Sequence, residues 1–171
     1  ASGLDLDADG AGYRQVPLYV PDDEMEQFAI DKIPCLALLG EQDFGIRFYG
    51  IPSGYLFIAL LEAILLVGRG ETKLGFDSQS KLASVKTPLH LRIFVTPTCP
   101  DSAKVVQFAN QFAFSSDFVR ADMIDITAFP YLGTKYKVRG VPHVYINAES
   151  DPVIGLPSEE DFIQALLQAA Q

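Results

Sequence analysis

The chain is poor in sulfur and in positive charge, and it lacks any long uninterrupted apolar run. Two cysteines, Cys35 and Cys99, are too few for a framework of structural disulfides, and they do not form a Cys-x-x-Cys pair. Two histidines and two scattered cysteines do not make a tetrahedral zinc set, so neither a metal nor a cofactor is expected. The formal net charge of −9 repels phosphate backbones, which argues against nucleic acid as a partner and is most simply a source of solubility. The longest apolar stretch, Tyr55–Gly68, is broken by Glu62 and is too short to span a bilayer, so no membrane partner is expected. The opening residues, ASGLDLDADG, carry no basic segment followed by an apolar one. No signal peptide is visible, and the expected location is the cytoplasm.

What the chain does hold is a core's worth of apolar residues, 49 % of 171, enough for one ordinary domain or two small ones. Two stretches match each other. IPSGYLFIALLEAI (51–64) and LPSEEDFIQALLQAA (156–170) both read Pro-Ser, three residues, Phe-Ile and an Ala/Leu run. Upstream, KIPCLALLG (32–40) and GVPHVYINA (140–148) both read apolar residue, Pro, strand, at nearly the same separation. An internal repeat follows, and a repeat decides architecture.

The second copy reads β-α-β-α-β-β-α. LHLRIFV (89–95) alternates and is β-branched or aromatic, as a strand requires. A helix begins at CPDSAKVVQFANQFAF. Pro100 sits in its first turn, where a missing N–H costs nothing, and Val105, Phe108, Ala109 and Phe112 recur at helical spacing. VRADMIDI (119–126) is a second strand, AFPYLGTKYKV a short helix or turn, and HVYIN with PVIGL a hairpin around AESD. SEEDFIQALLQAA closes the unit as a helix, with Ser158 as N-cap and Asp161 able to answer it. The first copy matches in part: YRQVPLYV (13–20) as a strand, DDEMEQFAI as a short helix, CLALLG and GIRFYG as the hairpin, SGYLFIALLEAILLVG as the closing helix. Its counterpart of the Cys99 turn falls before residue 1. The expected layout is an incomplete unit over 1–70, a polar linker over 71–88 rich in Gly, Ser and Lys, part of which could be helical, and a complete unit over 89–171. An incomplete sheet leaves a free strand edge, so either a homodimer or further chain before residue 1 is expected.

RIFVTPTCP, a cysteine at a helix head, and the distant RGVPH together resemble the thioredoxin superfamily. FGIRFYGIPSGYLFIALLEAI followed by FVTPTCP is similar to the protein disulfide oxidoreductases, or glutaredoxin-like proteins, which carry two tandem thioredoxin-fold units. The resemblance implies a three-layer α/β/α fold in two tandem units, the N-terminal one incomplete. It also implies dithiol–disulfide exchange in the cytoplasm and a cis-proline at Val141-Pro142, with Ile33-Pro34 as its counterpart. The chain departs from the family at the decisive place. Where the family has Cys-Pro-Tyr-Cys, this chain has Cys99-Pro100-Asp101-Ser102.

The chemistry follows from those four residues. A helix N-terminus offers partial positive charge and free N–H groups to a thiolate, Ser102 could donate to the sulfur, and the Asp101 carboxylate opposes both. A modestly lowered Cys99 pKa is the net expectation. Thiolate attack on a disulfide gives a mixed disulfide, which a hydroxyl at Ser102 cannot resolve. The expected role is therefore monothiol. Cys99 is the nucleophile and Ser102 its neighbour in the catalytic pair. Thr98, Pro100, Asp101, Val141 and Pro142 form the substrate-facing surface, and protein disulfides or glutathione are the partners. The rival is a redox-silent interaction module using the Pro142 groove. Cys35 reads best as packing, His143 is a weak candidate base, and nothing local selects Asp122 or Asp125 as a buried acid.

Overall fold

A computed structural model describes residues 22–147 and 151–171. The expected strand over 13–20 and most of the turn AESD lie outside the described residues. The elements run α1 (Asp22–Gln27), β1 (Cys35–Leu39), β2 (Asp43–Tyr49), α2 (Tyr55–Arg69), α3 (Phe76–Ala83), β3 (Leu89–Val95), α4 (Pro100–Ser115), β4 (Val119–Asp125), α5 (Pro130–Lys135), β5 (His143–Ile146), β6 (Val153–Ile154) and α6 (Glu159–Ala169). The strands form one six-stranded sheet in the order β1-β2-β4-β3-β5-β6. β3 and β4 run parallel, as a crossover through α4 requires, and β2 joins β4 in parallel. The hairpins β1–β2 and β5–β6 are antiparallel.

Strand alternation sorts the side chains into two layers. Leu89, Leu91, Ile93 and Val95 of β3, with Val119, Ala121 and Met123 of β4, face a large core closed by Leu56, Ala59 and Ala63 of α2, Leu82 of α3, Val105 and Phe112 of α4, and Phe162 and Leu166 of α6. Phe94, Ile124 and Tyr49 face the other way, into a smaller core with Ile30, Phe129 and Leu132 under the short helices. The result is a three-layer, thioredoxin-like α/β/α fold with one thick and one thin helical layer. α3 falls inside 71–88 and packs against α6 and α4. At α6, Ser158 Oγ accepts from the Asp161 amide at 3.1 Å and donates to its carboxylate at 2.7 Å, a reciprocal cap.

The two matching stretches fold alike. The peptide bonds Ile33-Pro34 and Val141-Pro142 are both cis. A hairpin follows each, and its far end returns a glycine amide to the proline carbonyl: Gly50 N to Pro34 O at 3.0 Å, Gly155 N to Pro142 O at 2.9 Å. Both glycines have positive φ, 107° and 80°, and each leads into Pro-Ser and a helix.

Candidate functional site

The site lies at the C-terminal ends of the parallel strands. β3 ends at Val95, and the turn Thr96–Thr98 delivers Cys99 as the N-cap residue of α4, with extended backbone (φ −101°, ψ 113°) and Pro100 next in the helix. The Cys99 amide is bonded to the Thr96 carbonyl at 3.3 Å. Cys99 is half-buried, and its Sγ donates to the Val141 carbonyl oxygen at 3.7 Å. Thr98 and Pro100 are exposed and Asp101 is half-buried, with its carboxylate 3.5 Å from Lys104 Nζ. Cys99, Thr98, Pro100, Asp101, Val141 and Pro142 are thus brought to one end of the sheet from positions about forty residues apart.

Ser102 sits differently from the rest. It is fully buried on the sheet-facing side of α4, and its Oγ has no hydrogen-bond partner among the described residues. A side chain one turn into the helix points back toward the N-terminus. Ser102 therefore lies behind the thiol, away from anything approaching Cys99 from solvent.

Three further groups belong to this end of the sheet. The turn Gly50–Gly54 packs on the Cys99 loop: the Tyr55 amide donates to the Pro97 carbonyl at 3.0 Å, and a Cβ on Gly54 would meet that same oxygen at 2.5 Å. Asp125 is buried at the end of β4, where it accepts from the Thr127 amide and hydroxyl, both at 2.8 Å. His143 is buried against Tyr145, their ring centroids 5.1 Å apart, with neither ring nitrogen partnered among the described residues, and burial pulls its pKa down. The contribution of the Gly50–Gly54 turn was invisible in the sequence, because only the fold brings residue 54 against residue 97.

The other thiol is chemically quiet. Cys35 begins β1 on the thin-layer face. Burial pushes its pKa up to about 12, with nearby Arg47 only partly opposing the rise. Asp122 faces the thin layer too. Arg120 Nε donates to its Oδ1 at 2.8 Å and His90 Nε2 stands 2.6 Å from its Oδ2. It is committed to those two partners.

The comparisons with known proteins agree with this geometry. A family model described as a thioredoxin domain matches residues 89–168, from β3 into α6. A cysteine-to-alanine variant of the alkylhydroperoxide reductase AhpF from Enterococcus faecalis superposes with a TM-score of 0.79 at 31 % identity, over 84 % of this chain and 69 % of that one. The chain belongs to the thioredoxin superfamily. Within that superfamily its likeness runs to disulfide oxidoreductases. A protein disulfide oxidoreductase from Aeropyrum pernix matches with a TM-score of 0.80 and 29 % identity, over 87 % of this chain and 65 % of that one. An alkyl hydroperoxide reductase of Pseudomonas aeruginosa is 30 % identical over 107 residues, 63 % of this chain and 20 % of that protein. The chain spans about a fifth to a quarter of the length of the first curated relatives it matches.

Proposed function

We propose that this superfamily member is a monothiol oxidoreductase in which Cys99 alone does the covalent chemistry. The observation that carries the reading is the placement of Cys99. It is a part-exposed thiol at the head of α4, its sulfur against the Val141 carbonyl, with a buried serine behind it. The Cys99 thiolate attacks one sulfur of a partner disulfide. A Cys99–partner bond forms, the partner's S–S bond breaks, and the second sulfur leaves as thiolate. Ser102 cannot displace Cys99, so release needs an external thiol, which becomes oxidised in turn. Protein disulfides and glutathione disulfide both satisfy this balance as the attacked partner, and reduced glutathione satisfies it as the external thiol. A thiol that must stay reduced between cycles suits a reducing compartment such as the cytoplasm. The paired proline–glycine closures support reading 1–70 as an incomplete counterpart of 89–171, joined through 71–88.

Intact-mass analysis after incubation with glutathione disulfide tests the reading. One glutathione adduct on the wild type and none on Cys99→Ser are expected, with Cys35 silent in both. Ser102→Cys places a small, weakly polar thiol where a buried hydroxyl lacks a partner, so it should fold with unchanged or slightly greater stability, by up to about 1 kcal/mol. It should also lose two hydrogens to an internal disulfide and reduce insulin with dithiothreitol as reductant. An unmodified wild type with a slow Cys99 alkylation rate up to high pH would favour the redox-silent binding module, which the missing second thiol at Ser102 also fits.

A further inference from the structure

The chain carries 22 acidic and 13 basic residues, yet one stretch reverses that balance. Between Ile126 and Ala148 there is no Asp or Glu, and Lys135, Lys137 and Arg139 stand at alternate positions. All three are exposed. Lys73, Lys81, Lys104 and Arg120 each hold a carboxylate, but among the described residues no ion pair engages these three. Lys135 Nζ lies 5.6 Å from the centroid of the Tyr136 ring, a contact that leaves its charge unneutralised. Lys137 has a φ of 52°, a left-handed position that favours glycine, so a cation stands there against a backbone cost.

The fold sets this basic stretch beside the thiol. Arg139 stands two residues before Val141, whose carbonyl accepts from Cys99 Sγ. Tyr136 packs on Phe94 near the end of β3, with ring centroids 4.9 Å apart. Lys137 and Arg139 line one depression with Ile126, Pro130 and Val138. The Ile126 amide donates to the Val95 carbonyl at 3.1 Å, where β3 runs out into the Cys99 loop. Two acids stand at this end of the sheet. Asp101 is answered by Lys104 at 3.5 Å, and Asp125 is buried with its carboxylate turned to Thr127. The exposed charge left uncompensated beside Cys99 is positive.

We propose that this basic rim selects protein disulfides flanked by acidic residues. The disulfide meets Cys99 beside Val141, and the partner's carboxylates lie along Lys137 and Arg139. A local positive field in an otherwise acidic molecule raises the encounter rate of an anionic partner and opposes a cationic one. Three cations within five residues match a run of carboxylates better than they match glutathione, which has two carboxylates and an ammonium group. The covalent step is unchanged: the Cys99 thiolate bonds to one sulfur of the disulfide, and the other leaves as thiolate. The inference rests on the monothiol reading and names the substrate class of that site.

The symmetrical disulfides of acetyl-Cys-Asp-Asp-amide, acetyl-Cys-Ser-Ser-amide and acetyl-Cys-Lys-Lys-amide test it. The rate of Cys99 adduct formation, followed by intact mass, is divided by the rate of the same disulfide with 2-mercaptoethanol, which removes intrinsic reactivity. At low ionic strength the acidic disulfide should react at least about 10-fold faster than the basic one, and within about 2-fold of it at about 1 M salt. Lys137→Glu and Arg139→Glu should each cut that preference at least about 3-fold. Lys86→Glu makes the same change in net charge before the start of β3, at the opposite end of the sheet, and should leave the preference intact. Lys137→Gly should cut it without lowering stability to urea, because glycine is at ease at that φ. Equal normalised rates for the three disulfides, or a preference that Lys86→Glu alters as much as Arg139→Glu does, overturn the proposal and leave the monothiol reading standing. Glutathione disulfide outpacing the acidic peptide overturns it too. A Cys99 that reacts with none of these disulfides ends both.

Discussion

Asp122 has 3 % of its side chain exposed and pairs with the Arg120 guanidinium and the His90 ring. Burial alone would raise its pKa. The hydrogen bonds from His90 and Arg120 and their charges outweigh that, and hold the carboxyl below the usual carboxylate range. Asp43, paired with Arg47, and Asp31, beside Lys32, are lowered as well. A depressed carboxylate stabilises the fold above its unfolded pKa of about 3.9 and loses that stabilisation as pH falls through the folded value. Urea unfolding should therefore give a stability that is flat near neutrality and drops below about pH 4. His143, buried and lowered, adds a smaller loss that begins near its free value of about 6.5. Asp122→Asn should cost about 3 kcal/mol at pH 7 and flatten the acid limb, because it leaves Arg120 without its carboxylate. An acid limb as steep in the variant as in the wild type would refute this. Sequence alone presented Asp122 and Asp125 as equals on one strand. Alternation across the finished sheet sent one to the thin layer beside Arg120 and His90 and the other to the end that carries Cys99.

Among the elements, the turn Gly50–Gly54 decides how firmly the Cys99 loop is held. Gly54 has a φ of 54°, where an L side chain is strained, and its missing Cβ leaves room for the Pro97 carbonyl. Gly70, the C-cap residue of α2, has a φ of 69° with nothing within 4 Å of a Cβ. The pair separates strain from collision. Gly70→Ala should cost about 1 kcal/mol, the left-handed penalty alone. Gly54→Ala should cost clearly more and should also change the rate of Cys99 alkylation, since the loop must move. Equal losses, with alkylation unchanged in both, would mean that the Pro97 contact does not position the thiol. Some elements were legible from periodicity to the residue: β3 spans the expected Leu89–Val95, whereas α3 lies inside the stretch read as linker. The hairpin arm read as 152–156 pairs only over Val153–Ile154, because Gly155 turns out with positive φ to meet Pro142.

At the scale of the whole molecule, residues 35–69 and 89–169 share one sheet and its larger core. β2 joins β4 directly, and Phe48, Leu56 and Ala63 sit in the same apolar cluster as Met123, Phe112 and Phe162. Segments bound by continuous burial open together. Urea unfolding followed by far-ultraviolet and tyrosine near-ultraviolet dichroism should give one coincident transition, and Phe112→Ala should shift both probes equally, at a cost of about 3–5 kcal/mol. Two separated transitions would mean that the N-terminal part is energetically independent of the unit that carries Cys99.

The sequence by itself determined the chemistry on offer. A thiol stands at a helix head, a serine stands where a second thiol would be needed, and a repeat puts a proline before a strand twice, because these depend on residue type and local spacing. Only the tertiary structure decided which groups meet. The Val141 carbonyl at the sulfur, the Gly54–Pro97 contact and the quiet burial of Cys35 all join residues distant in the chain. Their positions are set by how the strands order in the sheet, and no local pattern encodes that.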